Sequence, residues 1–282
     1  KERYSAKEAV TLAEETGQKM ENIKRILSYT RRAVEDYTMI RPGDKIAVGV
    51  SAGKDSLTLL CALSQLRRFY PVPFTVCAIT VDMGFAVPMD LTPVKELCRE
   101  LDVEYHIVPT QIYEVIFEAR KESNPCSLCA KMRRGALHNA AKELGCTSVA
   151  LGHHFDDVVN TFMLNLFFEG RLGCFQPVTY LSRRDLYVIR PMIYIPEKDI
   201  RYFVSHASLP VVKSTCPADG NTQRAQMHKL LSQLERTYPG LRYRIYGAIQ
   251  RGELDGFHLP VNNRMKGSTA YREDAGADET FD

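Results

Sequence analysis

Apolar positions along the chain recur with two periods, and the alternation of those periods predicts most of its elements. Between 18 and 38, Met20, Ile23, Ile26, Leu27 and Val34 fall at helical spacing with Lys24, Arg25, Arg31 and Arg32 between them. That pattern predicts an amphipathic helix. A turn at Arg41-Pro-Gly-Asp leads to IAVGV, 46–50, a short apolar run of strand character. Further strands are predicted at 74–81, 105–108 and 148–152, and helices at 57–68, 93–101, 133–145 and 156–168. Strands that are apolar throughout and alternate with helices indicate a parallel sheet covered on both faces. The expected class is therefore α/β, a doubly wound, Rossmann-like parallel sheet with an N-terminal helix and a C-terminal helical extension.

In such sheets, ligands sit beyond the carboxyl ends of the strands. SAGKDS, VDMGF and GHHFDD each follow a strand at that end, so the three loops are expected to share one crevice. From Tyr187 the pattern changes to YVIRPMIYI, a helix at 198–206, a loop holding Cys216 and a helix at 222–237. The expected division is an N-terminal helical segment (1–40), an α/β domain (41–186), a C-terminal helical part (187–251) and a disordered acidic tail (252–282).

Composition narrows the class only a little. The 282 residues are 45% hydrophobic and 25% charged, enough chain to bury a core without disulfide staples. No apolar run approaches the ~18 residues that span a bilayer. The N-terminal KERYSAKEAV lacks the apolar core of a signal peptide, so a soluble, cytoplasmic protein with no membrane partner is expected. Net charge is +3, but 252–282 holds seven acidic and three basic residues, leaving +7 on 1–251. Basic pairs at 31–32, 67–68, 120–121, 133–134 and 183–184 suit an RNA backbone, although any one alone reads more readily as solvated surface. Arg133 and Arg134 stand out because a Cys-x-x-Cys precedes them.

GVSAGKDS lacks the spacing of a Walker A loop, since three residues separate Gly49 from Gly53 and Asp55 lies between Lys54 and Ser56. A small-residue turn at a helix start still aims N–H groups and the positive dipole end at an anion. Lys54 adds a point charge, and Ser51 and Ser56 add hydroxyls. The segment resembles the Ser-Gly-Gly-Lys-Asp-Ser signature of the PP-loop family. That resemblance implies an adenine nucleotide alpha hydrolase-like fold that binds ATP and cleaves it between the α and β phosphates. Ser51, Ala52, Gly53, Lys54, Asp55 and Ser56 would hold the nucleotide, joined in the crevice by Asp82, Gly152 and His153. Ala52 replaces a family glycine, so its backbone is expected to avoid conformations open only to glycine.

In LGHHFDD, the paired aspartates at a helix start suit capping. Asp157 is also a candidate ligand for Mg²⁺ on the ATP phosphates. His153 and His154 read either as phosphate- or metal-handling groups or as satisfied loop histidines. Phe155, Phe175 and Tyr180 are candidate stacking partners for a splayed-out base.

Of eight cysteines, Cys61, Cys77, Cys98 and Cys146 lie in or beside apolar stretches and read as core. Cys126 and Cys129 form PCSLC, which reads as a redox pair, half of a zinc site or part of an iron–sulfur site. A full zinc site would need a second such pair, and none exists in the sequence. Cys216, alone in its loop, makes three.

The PP-loop, CSLCAKMRRG, LGHHFDDVVNTFMLNLFFEGRLG and RPMIYIPEKDI occur in that order. Together they resemble the tRNA 2-thiocytidine synthetase family over about residues 20–250. The resemblance implies ATP-dependent thiolation of a tRNA cytidine, with Lys54, Asp55 and Asp157 as catalytic groups and Mg²⁺ on the phosphates. It implies a 4Fe-4S cluster on Cys126, Cys129 and Cys216, with Cys174 as the alternative third ligand. The sulfur donor would be a cysteine desulfurase or free sulfide, and a homodimer is left open. The alternatives are a cluster-free persulfide relay, amidation of another substrate, and a non-enzymatic RNA-binding sensor.

Overall fold

A computed structural model describes residues 23–119, 125–213, 215–216 and 223–260. Its centre is a six-stranded sheet: β1 (Asp44–Gly49), β2 (Phe74–Asp82), β3 (Glu104–Pro109), β4 (Ser148–Ala150), β5 (Val178–Leu181) and β6 (Leu186–Ile189). The spatial order is β3-β2-β1-β4-β6-β5. Every neighbouring pair is parallel except β5 with β6. The chain therefore builds outward from β1 to β3 and returns to place β4 on the other side of β1. That reversal opens a crevice between the carboxyl ends of β1 and β4.

Strand periodicity places the two cores. Ile46, Val48, Val76, Ala78, Ala150 and Ile189 enter the large core, while Ala47, Cys77, Ile79, Val149 and Leu186 enter the smaller one. The smaller core is closed by Leu137, Ala140 and Ala141 of α4 (Pro125–Glu143). On the other face lie α1 (23–36), α2 (Lys54–Leu66), α3 (Thr92–Glu100) and α5 (Phe155–Glu169). Since α4 precedes β4 in a parallel crossover, its first turn stands at the same sheet edge as the crevice. The cysteines expected in the core, Cys61, Cys77, Cys98 and Cys146, are buried.

The doubly wound α/β sheet is as expected, and three details refine it. The sheet is not wholly parallel, because β5 pairs antiparallel at its edge; VTYL is only half-buried and carries a weak apolar signal. The division expected at 187 falls inside β6, which is a sheet strand between β4 and β5. Nor are the C-terminal helices α6 (Glu197–His206), α7 (Gln223–Thr237) and α8 (Leu241–Arg251) a separate part. Ile200, Phe203, Met227, Leu231, Tyr246 and Ile249 belong to the large core.

The acidic tail also begins later than Gly252. A short 3-10 turn at Leu254–Gly256 delivers Phe257, fully buried, against Tyr37 and Tyr246. The remainder of the expected tail, 261–282, and residues 1–22 of the N-terminal segment lie outside the described residues. At the other end, α1 is tied down by Arg25 to Asp199 at 3.1 Å and by Tyr194 donating to Asp36 at 3.0 Å. Among the described residues, no helix is long and apolar enough to cross a membrane.

Candidate nucleotide and thiol site

Residues 51–53 connect β1 to α2 at the strand reversal, and Gly53 caps α2 with extended backbone. Ser56 Oγ closes the loop on itself: it accepts from the Ser51 N–H at 3.1 Å and donates to the Gly53 carbonyl at 3.0 Å. Ala52 is fully buried with φ +60°, so the expectation for this residue is overturned. A left-handed alanine costs about 1–2 kcal/mol. Burial of its methyl, worth about 0.8 kcal/mol, and the avoided entropy of glycine, about 0.5–1 kcal/mol, together offset most of that. The Ala52 carbonyl accepts from the Val212 N–H at 3.0 Å, which pins the segment leading to Cys216 across the loop.

Lys54 lies between two carboxylates, with Nζ 2.9 Å from Asp55 Oδ2 and 3.1 Å from Glu197 Oε1. Burial works against its charge, but Asp55 and Glu197 outweigh burial and raise its pKa above the usual lysine value. Glu197, at the start of α6, also receives Arg201 at 2.9 Å and faces His228 at 3.4 Å. Burial opposes its ionisation as well, yet Lys54 and Arg201 prevail and hold its pKa at about 2. Glu197 was missed in the sequence, where an acidic residue after Pro196 reads as ordinary helix-dipole chemistry.

The Glu197 pKa sets a pH dependence. The folded value, about 2, lies below the ordinary 4.5. The stabilisation is therefore complete above pH 4.5 and is lost as pH falls through 2. It amounts to about 3 kcal/mol at neutral pH. In urea unfolding, the stability gap between the protein and Glu197→Gln should narrow steadily from pH 5 to pH 2. A gap that stays constant over that range would contradict the pairing.

After β4, Gly152 abuts the phosphate loop. A Cβ built on it would stand 3.1 Å from the Asp55 carbonyl carbon and 3.2 Å from the Ser56 nitrogen. Gly152→Ala should therefore push the first turn of α2 out of place, costing about 1–3 kcal/mol and weakening ATP binding at least tenfold. Calorimetric titration with ATP measures this, and an unchanged affinity would refute the close approach.

The next residues divide in role. His153 stacks on Phe175 with ring centroids 4.7 Å apart, and its Nδ1 accepts from Arg190 Nε at 3.2 Å. Burial, helped by Arg190, lowers its pKa to about 4, so at neutral pH its proton sits on Nε2. His154 is buried among Asp157, Asp55 and Asp156 at 3.4, 3.7 and 3.9 Å.

Asp156 is structural: it accepts from the Glu197 N–H at 2.7 Å and pairs with Arg242 at 2.6 Å. Asp157 caps its own helix through the His154 N–H and pairs with Arg224 at 3.1 Å. Asp82, at the end of β2, accepts from the Gly84 N–H at 3.0 Å and shapes the neighbouring loop. Of the proposed stacking aromatics, Phe155 is buried against Tyr243 and Tyr246, and Tyr180 packs on Tyr187. Phe175 lies between His153 and Arg190.

Cys126 and Cys129 sit in the first turns of α4, three residues apart and so on one helix face. Cys126 is exposed. Cys129 is half-buried against Met83, Ile112 and Ile116, beside the loop that Asp82 opens. Its pKa is raised by burial and by the neighbouring Cys216 and Cys126, while Arg133 opposes them. Cys129 is therefore within electrostatic reach of both other candidate ligands. Cys174 is buried elsewhere: its N–H donates to Asp255 at 2.6 Å, and burial raises its thiol to about 12. Among the described residues, no three His, Cys, Asp or Glu side chains are close enough to close around a metal ion. By chemistry, the thiols of Cys126, Cys129 and Cys216 suit a soft iron–sulfur group rather than Mg²⁺.

A phosphate loop at a sheet reversal, with Lys-Asp-Ser opening α2, is the arrangement of the PP-loop domain, whose family model matches residues 19–234. The chain is 38% identical to the tRNA-cytidine(32) 2-sulfurtransferase of Pelobacter propionicus, over 87% of this chain and 92% of that protein. It is 40% identical to the enzyme of the same name from Geobacter sulfurreducens, over 80% and 89%. Among solved structures it resembles the U34-tRNA thiolase NcsA of Methanococcus maripaludis with its 4Fe-4S cluster. That likeness has a TM-score of 0.66 and 26% identity, and covers 80% of this chain and 78% of the other. The chain belongs to the tRNA-cytidine(32) 2-sulfurtransferase family of PP-loop proteins.

Proposed function

We propose that this chain is an ATP-dependent tRNA sulfurtransferase that replaces O2 of a cytidine with sulfur. Its 38% identity to such an enzyme over 92% of that enzyme's length carries the reading. The loop amides and the N-terminus of α2 bind the phosphates of ATP. Asp55, a third exposed beside them, would be a ligand for Mg²⁺, with Lys54 Nζ on both its oxygens at 3.0 and 2.9 Å; Asp157 likewise spends its oxygens on its helix and on Arg224. Cytidine O2 attacks the α phosphorus, the bond to the β phosphate breaks and pyrophosphate leaves. Lys54 neutralises charge developing on that leaving group.

The adenylylated oxygen is then a good leaving group. A sulfur nucleophile attacks C2, the C2–O bond breaks and AMP departs. Cys126, Cys129 and Cys216 would hold a 4Fe-4S cluster, which when bound supplies one iron free of protein thiolate for the incoming sulfur. A cysteine desulfurase or free sulfide is the proposed donor. The test is pyrophosphate release by protein reconstituted anaerobically with iron and sulfide. Release should require tRNA, and release driven equally well by ammonia and a small carboxylate would support an amide-forming enzyme instead.

A further inference from the structure

Eight arginines of the described residues sit in ion pairs, including Arg242 with Asp156 and Arg224 with Asp157. Several others make none among the described residues, and three of those lie around α4 and β6. Arg134 Nε donates to the Ala130 carbonyl at 3.2 Å. Arg184 reaches the Gly135 carbonyl at 3.3 Å and the Asn139 side chain. Arg190 donates to the Gln176 carbonyl, to Thr179 Oγ1 at 3.3 Å and to neutral His153. All three bond only to neutral acceptors among the described residues. The carboxylate next in sequence, Asp185, is engaged by Tyr180 at 3.0 Å and Lys142 at 3.7 Å.

These cations are also close to one another. His138 of α4, buried with its Nε2 unpartnered, is held neutral by burial and by Arg184, Arg134 and Arg190 together. Arg190 in turn feels Arg134. Arg190 lies beside the Gly-His-His loop, Arg134 on α4 one to two turns beyond Cys129, and Arg184 against the middle of α4. Mutual repulsion in a partly desolvated cluster of cations costs stability unless an anion completes it.

We infer that Arg190, Arg134 and Arg184 form a track for consecutive backbone phosphates of the tRNA strand that delivers its target nucleotide to the crevice. The inference rests on the proposed function and names the surface by which that substrate is held. Guanidinium forks suit phosphate oxygens, and such contacts position a strand without reading its sequence.

Arg134→Gln/Arg184→Gln in the full chain tests this, with Arg134→Lys/Arg184→Lys as the charge-preserving control. Binding of unmodified tRNA is followed by fluorescence anisotropy from 0.05 to 0.5 M salt, and ATP affinity is measured in parallel. Loss of two phosphate contacts should lower the slope of log affinity against log salt by about 1.4 to 1.8. That corresponds to roughly 30-fold weaker binding at 0.1 M salt, converging toward 1 M. ATP affinity should be unchanged, and the lysine pair should retain most of the slope. An unchanged slope with intact tRNA binding overturns the track alone. A change in ATP affinity without one in tRNA affinity assigns the cations to the nucleotide and also overturns it. If the unsubstituted protein binds no tRNA, the functional reading fails together with the track.

Discussion

Replacing Lys54 with methionine is expected to slow tRNA-dependent pyrophosphate release by about 10²–10³-fold, as loss of a preorganised charge at a leaving group does. Lys54 already lies between Asp55 and Glu197, so its ammonium is ordered before ATP arrives. The substitution also removes one partner of the half-buried Glu197, although Arg201 at 2.9 Å remains. A stability loss of about 2 kcal/mol should accompany it, and the Glu197 pKa should climb from about 2 toward its ordinary range. Lys54→Arg keeps the charge and should recover most of the stability. Single-turnover release together with urea unfolding separates the two effects. A rate loss below tenfold, with the stability loss intact, would make Lys54 a structural cation only.

The second large effect concerns the thiols. Cys216→Ala is expected to abolish retention of iron after anaerobic reconstitution, and thiolation with it. Cys126→Ala and Cys129→Ala should do the same. Cys174→Ala should keep full iron content and lose only about 1–2 kcal/mol of stability, because Cys174 is buried with Phe175 and Asp255 for neighbours. Iron analysis and the broad visible absorption of the cluster are the readouts. Full iron in Cys216→Ala alongside loss in Cys174→Ala would reverse the assignment of the third ligand.

The legible parts of this fold were those governed by local patterns. β1, β2 and β4 are apolar runs followed by Gly-containing loops, and their order is enough to predict a sheet that binds ligands at one edge. β5 was not legible because an edge strand needs little apolar surface. The first turns of α4 were missed because their apolar stripe, Leu128, Cys129 and Met132, is short, half-buried and interrupted by the outward-facing Cys126 and Ser127. Ala52 misled in another way: residue identity suggested an ordinary backbone, whereas tertiary packing imposes φ +60°.

In the site, the motif residues were legible and their partners were not. Glu197, Arg242 and Arg190 act through contacts 143, 86 and 37 residues away in sequence, with Lys54, Asp156 and His153 respectively. No local signal marks such pairings. Asp156 and Asp157 look alike in the sequence, and only the fold separates the partner of Arg242 from the cap of α5.

ATP cleavage at this phosphate loop is proposed to serve sulfur transfer to a cytidine of tRNA. Incubation of the cluster-reconstituted protein with ATP, Mg²⁺, sulfide and unmodified tRNA, followed by nucleoside mass spectrometry, tests it most directly. The digest should contain 2-thiocytidine, with one pyrophosphate released for each thiolated base and neither product when ATP is omitted. A tRNA that stays unthiolated while the reconstituted protein binds it and hydrolyses ATP would contradict the account.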